Sequence, residues 1–396
     1  MNILLVTEMY FAYPHQSRRE TTYVVSNLMS SIAKKGHKVF VIRPYRYFNR
    51  VYSIFKKGRN SRSFSKDEIF KVDGVSIYRL GISSVPKKIT TRKQIEELTP
   101  KVYKFVELLN PDLILVHMIE PSLHIANNIC IKSKNVPIIL TLHNTDIYFL
   151  NKYSNKKTND EELEAFKFVK KIGFSSEIIK KQFFELNLKS NIQNHFINKY
   201  GLDEMWFKNT FIKDLDYKKL KLITVCYLHK SKRVDFLIKT LKLYNQEICL
   251  NVVGNGPEKK RLLRLAKKTR FDENVLFIGQ VENNEIIRLL DKSDIFVLLS
   301  FPETLGLVYL EAMARGKIVI GSEGQGIDGI IINGLNGFLC DPSNKDQFLK
   351  LLAYISDPKN LTNITKIRKN AIKTALNYGS KNVTNEYINE IKNITI

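Results

Sequence analysis

Ile295-Phe296-Val297-Leu298-Leu299-Ser300-Phe301-Pro302-Glu303-Thr304-Leu305-Gly306-Leu307-Val308-Tyr309-Leu310-Glu311-Ala312-Met313-Ala314-Arg315-Gly316 is the stretch on which the fold turns. The run from Ile295 to Leu298 is apolar and of strand type, a turn with Pro302 follows, and a helix is predicted to open at about Thr304 and run to Arg315. A strand that passes through a tight loop into a helix sets the helix's free amides at the strand's carboxyl end, a ready site for a diphosphate. Gly306 lets a phosphate approach the backbone closely. Glu311 falls among Leu307, Val308, Leu310, Ala312 and Met313, where a carboxylate is costly to bury unless something pairs with it. Ribose hydroxyls would serve, and so would a neighbouring lysine in a core ion pair. Glu303, just ahead of the helix, is placed either to hydrogen-bond sugar hydroxyls beside the diphosphate or to cap the helix.

The same alternation extends along the chain in both directions. Strands are predicted at residues 3–7, 38–42, 113–117, 138–142 and 171–174, and again at 222–226, 248–253, 275–278, 295–298 and 318–320. Helical patterns lie between them at 21–35, 92–109, 234–243, 258–268 and 305–315. This order predicts α/β architecture with parallel sheets covered on both faces. It breaks off over a polar and aromatic stretch around residues 199–219 and restarts at Leu222, which predicts two doubly wound domains. Ligands of such sheets bind outside the carboxyl ends of the strands, so residues just after strands carry most weight.

The composition, 44% hydrophobic and 26% charged, is that of a globular chain and not a disordered one. No apolar run reaches the ~20 residues that span a bilayer. The N-terminus reads as a first strand and not a signal peptide. Cys130, Cys226, Cys249 and Cys340 show no metal-ligand spacing, so a reduced, cytoplasmic protein is expected, without metal. The net charge of +24 favours anionic partners or reflects a solvated lysine-rich surface. From Arg43 to Lys71, bases alternate with aromatic residues. That segment suits the headgroups of an anionic membrane at the inner face of the cell, single-stranded nucleic acid, or a plain basic loop over the sheet.

With Glu303 and Glu311 as an E-x7-E pair, the words F-P-E-T-L-G-L-V-Y-L-E-A-M-A-R-G-K-I-V-I resemble family 4 of the retaining glycosyltransferases of GT-B type. The resemblance implies two Rossmann-like domains facing a cleft. It implies that Glu303 meets the donor sugar, that Glu311 binds the nucleotide ribose, and that the amides of Thr304, Leu305, Gly306 and Leu307 hold the diphosphate. The segment from Val225 to Asp235 resembles the family's strand and basic loop, with Lys232 on the phosphate-binding lysine; otherwise Lys232 is a surface lysine. Where relatives carry an arginine this chain has Tyr227. Gly254, in Val253-Gly254-Asn255-Gly256, is similar to the glycine loop after the next strand, and the segments 275–281, 321–326 and 333–339 match shape-setting turns of the family.

In the first half, His117 ends a strand as the family's active-site histidine does, and His143 follows the next strand in Thr141-Leu142-His143-Asn144. Either is otherwise an ordinary satisfied polar residue. The first loop, from Glu8 to Ser17, lacks the paired glycines of many relatives. The domains are expected at 1–205 and 220–377, with a linker at 206–219 and a C-terminal helix within 378–396 that crosses back to the first domain as in relatives. The implied activity moves a hexose-type sugar from a UDP- or GDP-sugar to a hydroxyl of a glycan or lipid-linked glycan, as in bacterial surface polysaccharide or glycolipid synthesis. The nucleotide sugar is a substrate, and no cofactor, metal or nucleic acid is implied. Two other readings stand beside it: a nucleotide-sugar-binding module that has lost turnover, and a basic nucleic-acid-binding protein.

Overall fold

The structure, a computed structural model, describes residues 1–16, 23–48, 67–84, 92–132, 136–154, 166–186, 194–217 and 219–394. It divides into two compact units, Met1–Gly201 with Lys381–Ile396, and Leu202–Ser380. Both are α/β units on largely parallel sheets.

The first unit contains β1 (Asn2–Thr7), β2 (Lys38–Phe48), β3 (Glu68–Val72), β4 (Val75–Ser84), β5 (Leu113–His117), β6 (Ile138–Leu142), β7 (Val169–Phe174) and β8 (His195–Ile197). They pair in the order β3-β4-β2-β1-β5-β6-β7-β8, with only β3–β4 antiparallel among the described strands. The central strands β1, β5 and β6 are continuous apolar runs because helices bury both of their faces. The β3–β4 hairpin turns at Asp73 and Gly74, whose φ angles of 49° and 81° are those of a tight type I′ turn. The segment from Arg43 to Lys71, for which a basic loop is one of three readings, is strand at both ends: residues 43–48 prolong β2 and residues 68–71 lie in β3. Its middle lies outside the described residues.

The C-terminal helix Ser380–Lys392 buries Val383, Tyr387, Ile388 and Ile391, one stripe at helical spacing. It belongs to the first unit from Lys381 onward. Tyr387 packs 5.9 Å from the Phe196 ring, and Glu390 pairs with Lys171 of β7.

The second unit contains β9 (Lys219–Val225), β10 (Glu247–Val253), β11 (Val275–Gly279), β12 (Ile295–Val297), β13 (Ile318–Ser322) and β14 (Phe338–Cys340). Their order, β11-β10-β9-β12-β13-β14, is a parallel 3-2-1-4-5-6 sheet. The chain reverses its direction of travel between β9 and β12, the point where sheets of this kind take their ligands. The described part of the stretch 206–219, expected as a linker, packs into this unit. Trp206 is buried in its core, and the guanidinium of the buried Arg315 donates to Trp206 O, Lys208 O, Asn209 O and the Thr210 hydroxyl while pairing with Asp291. A second buried arginine, Arg368, donates to Lys213 O and Gly316 O.

Candidate active site

Lys232 and Glu303 arrive from the two strands that flank the reversal. After β9 the chain makes a short 3-10 turn, Lys230–Lys232, and Arg233 turns it into helix Val234–Leu241 through a left-handed φ of 50°. After β12 it reaches Ser300 and Glu303. Lys232 Nζ then lies 2.5 Å from Glu303 Oε2, with side-chain exposures of 22% and 9%. Glu303 is therefore an ion-pair partner and does not cap the helix.

The helix of the deciding stretch begins later than the sequence suggested, at Leu307 and not Thr304. Gly306, at φ 73° and ψ 77°, stands outside the helical region as its N-cap. A Cβ at Gly306 would lie 2.6 Å from the Tyr309 ring and 3.6 Å from Glu303 Cδ, so the cap, the ring and the carboxylate are in one place. Among the described residues the N–H groups of Leu305, Gly306, Leu307 and Val308 donate to no protein acceptor. Thr304 N–H reaches Glu303 Oε1 at 3.3 Å. These four amides, on half-buried residues, lie with the Lys232–Glu303 pair at the sheet's reversal point and leave a cradle for an anion.

Glycines bring the surrounding loops against it. A Cβ on Gly254 would lie 1.9 Å from Cys226 O, and one on Gly326 would lie 1.8 Å from Thr304 O. Gly254 N–H donates to Gly279 O at 2.7 Å, so what this glycine offers a ligand is room and not a hydrogen bond. Tyr227, in the arginine position, is 65% exposed.

Glu311 is buried, and among the described residues its carboxylate has neither a hydrogen bond nor an ion pair. No core lysine meets it. Burial, with a smaller contribution from the charge of Asp203, pushes its pKa up to about 8, so near neutral pH it holds a proton.

His117 and His143 come together in the first unit, at the ends of β5 and β6. His117 Nδ1 lies 3.1 Å from His143 Nε2. His117 is wholly buried, and its Nε2 has no hydrogen-bond partner. Burial drives the pKa of His117 well down and that of His143 to about 4, so the pair is neutral at pH 7. Asp146, raised by burial to about 6, accepts the Ile119 and His143 N–H groups and ties the two loops together. The glycine-free first loop is packed down, with Tyr10, Phe11 and Ala12 buried.

Sequence reading passed over Ser300 and Gln325. Ser300 Oγ donates to Glu303 Oε2 at 2.9 Å, and Gln325 Oε1 accepts Glu303 N–H at 2.9 Å. Their signal was available: one is a polar residue closing a buried strand, the other lies between two glycines.

Residues 207–375 match the family model "Glycosyl transferases group 1", and residues 17–175 match "Glycosyl transferase 4-like". The chain is 28% identical to N-acetyl-alpha-D-glucosaminyl L-malate synthase of Bacillus anthracis over 83% of each chain. In fold it is similar to a glycosyltransferase from Rickettsia africae (TM-score 0.71, 18% identity, covering 99% of this chain and 98% of the other). It is also similar to HepE of Anabaena in complex with UDP (TM-score 0.72, 15% identity, covering 99% and 100%).

Proposed function

We propose, for a chain that belongs to the group 1 glycosyl transferases and is a glycosyltransferase, that its donor is a UDP- or GDP-linked hexose-type sugar, transferred with retained configuration to a hydroxyl of a glycan or lipid-linked glycan. The observation that carries this reading is the cradle of four unpaired amides beside Lys232, at the reversal point between β9 and β12. As the bond to the sugar breaks, the anomeric carbon becomes oxocarbenium-like and negative charge grows on the departing diphosphate. Preorganised donors aimed at that charge lower the barrier. Lys232 and the amides of Leu305, Gly306, Leu307 and Val308 supply them, a field that calls for no resident metal.

Lys232 moves from Glu303 to the diphosphate when the donor enters, and Glu303 accepts from the sugar hydroxyls. Glu311, without a protein partner, accepts from the ribose hydroxyls. The HepE structure holds UDP, which supports a uridine nucleotide. In the first unit, His143 is the side chain offered to a sugar hydroxyl of the substrate. His117, wholly buried against it, holds its ring and is a positioning residue rather than a catalytic one. Transfer occurs in one step on the face the leaving group departs from, as the family resemblance implies, with Glu303 on the sugar hydroxyls and not acting as a nucleophile.

Release of UDP from UDP-glucose, or of GDP from GDP-mannose, tests the reading in wild type, Lys232→Ala and Glu303→Ala. Each substitution is expected to lower kcat by about 10²–10³. A loss below about threefold on either removes the role assigned to that residue.

A further inference from the structure

The pair Lys232–Glu303 leaves a difficulty for any donor: the lysine that must take the diphosphate is also the cation that holds the carboxylate. We infer that Ser300 positions Glu303 once the donor has drawn Lys232 away; the inference rests on reading Glu303 as the carboxylate that meets the donor sugar.

Lys232 Nζ and Ser300 Oγ donate to the same oxygen, Glu303 Oε2, at 2.5 and 2.9 Å. The two donors differ in freedom. Lys232 carries its ammonium on a long flexible stem and is partly exposed, so a diphosphate can attract it. Ser300 is fully buried and has no such latitude.

The proton count fixes where the serine points. A hydroxyl has one proton to give. Tyr309, itself fully buried, gives its own to Leu298 O at 2.6 Å, and its oxygen stands 3.4 Å from Ser300 Oγ. Tyr309 therefore does not donate to Ser300. The serine proton goes to the nearer and charged acceptor, Glu303, because charge-assisted hydrogen bonds are the stronger ones.

The main chain of Glu303 is held separately. Its N–H donates to Gln325 Oε1 at 2.9 Å, and its carbonyl accepts Gly326 N–H at 3.0 Å. With backbone and Oε2 both fixed, Oε1 is left as the oxygen open to a sugar hydroxyl, since its protein contact is the long 3.3 Å one from Thr304 N–H. Two donors on one oxygen thus let the lysine change partner without releasing the carboxylate.

The test is a double-mutant cycle on nucleotide release from UDP-glucose or GDP-mannose, whichever the wild type turns over, read together with binding of the free nucleotide. Ser300→Ala is expected to lower kcat about tenfold while nucleotide affinity stays within about threefold. In a Glu303→Gln background the same substitution should cost nothing further, because the carboxylate it serves is gone. Ser300→Cys, which keeps the volume but is a weak donor, should reproduce the pattern at smaller size, and it carries the cycle if Ser300→Ala does not fold. An equal loss in both backgrounds, a parallel loss of nucleotide affinity, or no loss of kcat overturns the inference. Wild-type rates in Glu303→Gln would instead overturn the underlying role of Glu303, and the inference with it.

Discussion

The second unit presents charge and the first presents neutrality. At the reversal point of the second sheet stand an ammonium, a carboxylate and four unpaired amides, partly open to solvent. At the corresponding point of the first sheet, between β1 and β5, stands a histidine buried among apolar residues, hydrogen-bonded to a second histidine, both with depressed pKa values. One topology therefore supports two electrostatic tasks. On the function proposed above, the charged setting of the second unit serves a leaving anion and the neutral setting of the first serves a sugar hydroxyl. The difference follows from residue choice in the loops, because the strands beneath are equally apolar in both.

The comparison breaks most readily at Lys232 and Glu303, where the losses are expected to be largest. A second, smaller effect is expected at Glu311. Its folded pKa, raised to about 8 by burial, lies above its ordinary value of 4.5. Between those values the folded state holds a proton that the unfolded state has released, so stability falls as pH rises through the window and is flat above it. Glu311→Gln should therefore be stabilised relative to wild type by an amount that grows from pH 5 to pH 8. Each unit of displacement is worth about 1.4 kcal/mol. Thermal melts across that range measure it, and a gain that does not change with pH would show that Glu311 is ionised in the folded state. The same substitution should weaken UDP binding above pH 8, where the wild-type carboxylate is charged and accepts best.

The smallest effect sharpens the other side of the comparison. His143, held near 4, and His117, lower still, should not titrate between pH 8 and pH 5.5 in the folded protein. The imidazole NMR signals of the pair should stay fixed over that interval. Because both folded values are depressed, the pair costs stability only as pH falls below the ordinary histidine value of 6.5. Movement of either signal near pH 6.5 would place a charged histidine where the account needs a neutral one.

Legibility in the sequence tracked how local the cause was. The central strands were readable because burial on both faces demands unbroken apolar runs, and residues 113–117 and 138–142 were bounded correctly. Lys232 was picked out by the family resemblance, and Glu303 and the amides after it by their place just past a strand; the structure brings Lys232 and Glu303 together. The start of helix Leu307–Ala314 was placed three residues too early because the helical spacing runs back through Gly306, whose left-handed geometry keeps it out of the helix. The hairpin at Asp73 and Gly74 carried a known turn signal that the surrounding basic and aromatic residues obscured. What no local reading supplies is tertiary. Arg315 binds residues 206–210 more than a hundred positions away, which turned an expected linker into part of a domain. The Ser300–Glu303–Lys232 junction likewise needs two strands side by side before it exists.

Calorimetric titration of wild type and Lys232→Ala with uridine and with UDP isolates the central claim, since the two ligands differ only in the diphosphate. The account predicts that wild type binds UDP far more tightly than uridine, and that Lys232→Ala loses about 1.5–3 kcal/mol of that difference while uridine binding is unchanged. Equal affinities of wild type for the two ligands, or a difference left unchanged by loss of the lysine, would contradict it.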